Sequence, residues 1–186
     1  MEKIDTGCTV EKAISNFYDQ NDFGDDGGVS KKIAWLKFGF IQLPIPNSES
    51  RRKNVYFHDI GHLITENNTT WKGESAVSAW EIASGGWGNH YILWLMTLWA
   101  TGLGAVFYTV NVFKSFKTGL VMRNAFTSGL TKEEISELSL SKLKSRLSGF
   151  SESDKNPYLW LALSVFVFVF PFLLGCFLVI KFLNCL

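Results

Sequence analysis

Two of the three histidines in this 186-residue chain stand four residues apart around an aspartate, in His58-Asp59-Ile60-Gly61-His62. At about 100° per residue, positions 58, 59 and 62 of an α-helix fall at about 0°, 100° and 40° around the axis, so the three side chains share one side. Imidazole nitrogens and a carboxylate converging in this way are the donors of a divalent-metal site, for zinc, iron or a similar ion. Glu74 follows after a short polar turn, and a second helix returning antiparallel brings its carboxylate to the facing side, a common way to build a metal site in an all-helical protein. Glu81 lies seven residues later, on the stripe of Glu74. It is placed to orient a ligand, to contact substrate or to move a proton as the catalytic carboxylate. Singly, each residue has a plainer role: surface histidines, an isolated aspartate, a glutamate complementing a helix dipole. Their combination across one short turn reads as a metal site.

The elements that must hold these residues follow from local signals. After Pro44 and Pro46, Asn47 or Ser48 caps a helix running to about Ile64. A second helix begins near Thr70, takes Glu74 into its first turn and ends at Ser84-Gly85-Gly86. Arg51, Arg52 and Lys53 open the first helix, as a solvated basic turn or as a contact for a lipid phosphate or anionic substrate. Upstream, KKIAWLKFGFIQLPI reads as an apolar segment lying on the core or at a membrane surface. Residues 1–30 carry DQNDFGDDGG and read as a mobile acidic tail. A calcium loop starting at Asp19 fails, because position five is Phe23 and position twelve is Ser30.

The mean hydropathy of +0.11 has a local origin. Residues 91–113 and 158–180 contain no Asp, Glu, Lys or Arg, so all 18 basic and 17 acidic residues lie in the other 140 positions, one in four. A 23-residue helix is about 34 Å long, enough to cross a hydrocarbon core of about 30 Å, and both windows are predicted transmembrane helices. Between them, 114–157 reads as a polar connector. There Thr131-Lys132-Glu133-Glu134 is a capping box, and Ile135, Leu138, Leu143 and Leu147 form an apolar stripe for anionic lipid or for the polar domain. Lys114, Lys117 and Arg123 place this connector in the cytoplasm by the positive-inside rule. That would export the first 90 residues without a visible signal peptide, so the orientation stays open, an interfacial or re-entrant hairpin included. The fold expected is all-α: a small helical metal-binding domain over 31–90, followed by two spans.

Composition narrows the functions. A net charge of +1 argues against a nucleic-acid module, which carries a basic surplus to neutralise phosphates. Cys8, Cys176 and Cys185 form no CxxC pair, so neither a disulfide framework nor a cysteine zinc cage is indicated. An HD-type phosphohydrolase needs a further upstream histidine and a later aspartate, whereas the remaining histidine here is His90, downstream.

At these residues the chain resembles the coenzyme Q biosynthesis protein four family, whose signature is HDxxH, eleven residues, then Glu. Here that is His58-Asp59-Ile60-Gly61-His62, Leu63 to Gly73, and Glu74, flanked by LPIPNSESRRK and TTWKGESAVSAWEIASGG; the likeness covers residues 33–90. The resemblance implies an all-helical fold and a zinc-like cation held by His58, Asp59, His62 and Glu74. It also implies a surface for a polyprenyl tail and a role in ubiquinone biosynthesis, either organising the biosynthetic enzymes or replacing the ring carboxyl of a polyprenylated precursor by hydroxyl. The two spans depart from a family whose members are peripheral on the membrane, and suggest a membrane-anchored branch, or an enzyme on another isoprenoid lipid. The expected location is a multi-pass protein of a bacterial or mitochondrial inner membrane.

Overall fold

A computed structural model describes residues 7–38, 41–150 and 153–185 of the chain. Helix α1 (Val10–Asn21) is followed by strands β1 (Ile33–Phe38) and β2 (Ile41–Pro46), then by α2 (Glu49–Thr65) and α3 (Trp71–Ala83). Five further helices complete it: α4 (Tyr91–Phe107), α5 (Thr109–Gly119), α6 (Lys132–Glu137), α7 (Leu140–Leu147) and α8 (Pro157–Leu183). The fold is thus predominantly helical, as expected. The one sheet among the described residues is an antiparallel hairpin of β1 and β2, with Ile33 opposite Pro46 and Phe38 opposite Ile41. It occupies the segment read as apolar packing, and the side chains on which that reading rests lie outside the described residues.

The acidic segment read as a tail is in large part a helix, its first six residues lying outside the description. Thr9 caps α1 through its side chain, and Val10, Ala13, Ile14, Phe17 and Tyr18 repeat at helical spacing and are buried. This stripe enters a core with Tyr56, Ile60, Leu63 and Ile64 of α2, Trp80 of α3, and Ile135, Leu140, Leu143 and Leu147. Burial of five side chains outweighs the local charge that suggested disorder. The same core corrects the reading of 114–157 as a connector. Thr131 forms the expected capping box with Glu134, but the helix ends at Leu138, whose extended backbone (ψ 152°) separates α6 from α7. Their apolar stripes cover the domain, and Lys142, Lys144 and Arg146 face solvent.

The larger correction concerns the spans. Residues 91–113 do not form one helix: α4 ends at Tyr108 (φ −137°, ψ 38°), and the chain restarts as α5, which buries Val112 and Phe116 with Ala79, Ile82 and Ala83 of α3. At 17 residues α4 is about 26 Å long, short of a hydrocarbon core. Only α8, with 27 residues and an apolar surface, is long and apolar enough to cross a membrane among the described residues, so the expectation of two spans is not met. Asn156 caps α8, Pro157 occupies its first turn and Pro171 lies inside it. Helix α4 rests against the first half of α8: a Cβ on Gly102 would stand 2.0 Å from the Ser164 carbonyl oxygen, so only glycine allows this approach.

Candidate metal centre

Local sequence fixes the helix pair that carries the site. Ser48 caps α2 by accepting the Arg51 N–H at 3.2 Å, and Glu66 ends it in the left-handed conformation (φ 57°). The turn is drawn tight by Asn68, whose Oδ1 accepts the Thr70 N–H at 3.2 Å and its hydroxyl at 2.6 Å. Thr70 in turn caps α3. A Cβ at Gly73 would lie 1.9 Å from the Asn68 carbonyl oxygen, so this turn demands glycine immediately before Glu74. Lower down, α3 closes on α2 over Gly61, where a Cβ would meet Val77 at 3.0 Å.

This geometry brings His58, His62 and Glu74 together, with one donor atom from each lying within 4.8 Å of the others. His58 Nε2 is 3.3 Å from His62 Nε2 and 3.3 Å from Glu74 Oε2, and His62 Nε2 is 3.5 Å from Glu74 Oε1. The far side of each ring is engaged: His58 Nδ1 is 2.7 Å from Glu81 Oε1, and His62 Nδ1 is 3.1 Å from the Asn67 carbonyl oxygen. Carbonyls and ionised carboxylates only accept, so both Nδ1 atoms carry protons and both Nε2 lone pairs face each other and Glu74. Three electron-rich donors at this separation require a proton or a cation between them. Two metal–nitrogen bonds of about 2.0–2.1 Å at a near-tetrahedral angle span about 3.3–3.4 Å, so the donor set fits a divalent ion such as zinc.

The electrostatics of the metal-free protein follow. Burial opposes charge on His58, but Glu81 and Glu74 outweigh it and raise the pKa well above the ordinary imidazole value. Burial likewise opposes ionisation of Glu74, and the two histidines overcome it, holding the carboxyl far below its usual range. A face of the site stays open: the side chains of His58 and Glu74 are 26% and 30% exposed, whereas His62 is buried and stacks on Phe17 of α1 at 5.5 Å.

Two predicted residues sit differently. Asp59 is buried but does not join the three donors; it faces the Tyr18 hydroxyl, whose pKa is raised by burial and by that negative charge. Burial lifts the Asp59 carboxyl to about 6, while His58 and His62 pull it down. Glu81 is 1% exposed behind His58, with Oε1 2.7 Å from His58 Nδ1, the position of a residue that orients a ligand. Of the basic turn, Arg51 alone turns inward: its guanidinium donates to Asn47 Oδ1 at 2.9 Å, and burial lowers its pKa, an effect that Asp59 and Glu74 offset only in part. Lys53 pairs with Glu49 at the surface. The Asn67 carbonyl and Phe17 were not legible as parts of the site. The signal for Phe17 was the apolar stripe of α1; a backbone carbonyl leaves none.

No family model, no curated protein and no solved structure matches this chain.

Proposed function

We propose that this chain is a membrane-anchored metal-dependent enzyme of ubiquinone biosynthesis. In this reading it binds a polyprenylated aromatic acid and, with dioxygen as the co-substrate that takes up two electrons and leaves as hydrogen peroxide, replaces the ring carboxyl, lost as carbon dioxide, by a hydroxyl from water. The observation that carries the metal-dependent part is the set of three donors with both histidine Nδ1 atoms engaged, Glu81 on one and the Asn67 carbonyl on the other. Oriented ligands of this kind are what a bound cation needs for tight, regular coordination. The quinone-pathway part rests on the HDxxH-x11-E resemblance.

His58, His62 and Glu74 would hold the cation, zinc by the tetrahedral fit of the two nitrogens; a divalent ion bound there supplies a Lewis acid for an oxygen of the substrate. The remaining work belongs to the chain itself. Glu81 fixes the His58 ring and its tautomer, the Asn67 carbonyl does the same for His62, and Phe17 walls off one side from water. Three protein donors and a partly exposed rim favour a catalyst over a scaffold that only gathers the quinone-biosynthesis enzymes, because a purely structural ion is normally enclosed by four. α8 serves as the anchor, its apolar side chains facing outward along its length.

The test uses the full-length chain, loaded with zinc and reconstituted in vesicles with a polyprenylated hydroxybenzoic acid in air-saturated buffer, which supplies the dioxygen. Mass spectrometry should detect the product in which hydroxyl replaces carboxyl, and the product should vanish in the double variant His58→Ala/Glu74→Ala. Unchanged acid in the presence of bound metal would overturn the catalytic reading and leave the scaffold.

A further inference from the structure

The outer surface of the α4–α5 corner is apolar where the chain turns. Five consecutive residues, Val106 to Val110, are exposed, among them Val106 at 47%, Phe107 at 66% and Val110 at 80%. The corner is continuous with α8. Trp94 stacks on Trp160, Gly102 meets Ser164 and Phe168, and Phe107 packs edge-on to Phe168, so α4 and α8 run in the same direction. The corner therefore points the way α8 leaves the domain.

Length decides how far a bilayer must reach. Beyond Phe168, which meets Phe107 of α4, 15 residues of α8 remain, Val169–Leu183, exposed from Phe170 on and only about 22 Å long. Crossing about 30 Å of hydrocarbon takes about 20 residues, and the 20 that precede the charge of Lys181 run from Leu161 to Ile180 and include Ser164. Ser164 is the residue on which Gly102 sits. A bilayer spanned by α8 thus extends at least to the level of Gly102 and surrounds the last turns of α4. Charge agrees: between Glu81 and Glu133 the chain has no acidic residue and four basic ones. Two of these, Lys114 and Lys117, stand one and two turns from the corner, on an open groove of about 710 Å³ with Thr109, Val110, Phe113 and Thr118. Lys117 lies 4.9 Å over the Phe113 ring.

We propose that the α4–α5 corner is a half-depth membrane wedge, with Val106, Phe107 and Val110 in the hydrocarbon of an anionic bilayer and Lys114 and Lys117 among its phosphates. The proposal rests on the reading of α8 as a span. It also gives the metal centre a place: Ser75, next to Glu74, touches Gly104, and Trp71 packs on Trp99. The α2–α3 turn is thereby held at headgroup level, where a ring on a polyprenyl tail reaches the cation with its tail still in the bilayer.

The experiment places an environment-sensitive nitrobenzoxadiazole label on the full chain in phosphatidylcholine–phosphatidylglycerol vesicles, after Cys8 and Cys185 are replaced by serine in every variant and Cys176 in all but the one that is labelled there. One variant carries the label on Val110→Cys, a second on the retained Cys176 within α8, and a third on the exposed Ser141→Cys of α7. Labels at 110 and 176 should both emit in the blue and be quenched strongly by spin-labelled lipid, while that at 141 is not. A label at 176 in lipid with one at 110 in water overturns the wedge and leaves the anchor standing. Labels at both positions in water overturn the anchor, and the wedge with it.

Discussion

Two packed parts of this molecule differ in what they turn outward. In the α1–α3 and α6–α7 unit, Val10, Ile60, Ile135 and Leu143 are inside and the lysines outside. Where α4 meets α8, Gly102 lies against the buried Ser164 and Trp94 stacks on Trp160, while Ile92, Leu95, Phe166 and most of the later α8 residues face outward. Both parts close over a glycine, Gly61 under Val77 in one and Gly102 under Ser164 in the other. The difference is the one that the proposed membrane placement of α8 requires. Water drives apolar side chains inward, whereas lipid gives them no reason to hide and leaves close backbone packing and small polar residues to hold helices together.

The sharpest break of this contrast is removal of a ligand. His62→Ala takes a buried nitrogen from the donor set, and zinc affinity should fall by more than about 100-fold while α8 stays in the membrane fraction. Titration with a fluorescent zinc competitor measures it; unchanged affinity would mean that the three donors do not hold the ion. The complementary break lies in the other part. Gly102→Leu drives a side chain into the Ser164 carbonyl and should cost on the order of 1–3 kcal/mol by forcing α4 from α8. Thermal unfolding in detergent should show the loss, with metal content unchanged in the folded fraction.

Finer variants sharpen the metal centre itself. Glu81→Gln keeps a group of the same shape behind His58 but removes its charge, and zinc affinity should drop about 10-fold, less than for the ligand variant. The smallest effect is a proton count. Because Glu81 and Glu74 hold His58 protonated above the usual imidazole range, the metal-free protein carries a proton at neutral pH that the cation must displace. Calorimetry in buffers of different ionisation enthalpy should register about one proton released per zinc at pH 7, falling toward zero as pH rises through the His58 pKa.

The site was legible from sequence to the extent that its chemistry is local. HDxxH, the polar turn and Glu74 follow from helix periodicity and capping signals, and Ser48, Thr70 and Thr131 cap as those signals say. What escaped depended on tertiary choice. The stripe of α1 was masked by acids that face solvent, and the uncharged run 91–113 gave no sign of the break at Tyr108, which exists because α5 turns back to bury Val112 and Phe116 on α3. Asp59 shows the limit within the motif: an angular offset of about 100° from His58 lets it turn to Tyr18 and away from the other donors.

The account depends most on which atoms surround the ion. X-ray absorption at the zinc edge of the metal-loaded full-length chain should show two imidazole rings and oxygen, at about 2.0–2.1 Å, and no sulfur. A shell containing thiolate, or oxygen alone without imidazole scattering, would contradict the assignment of the metal centre to His58, His62 and Glu74.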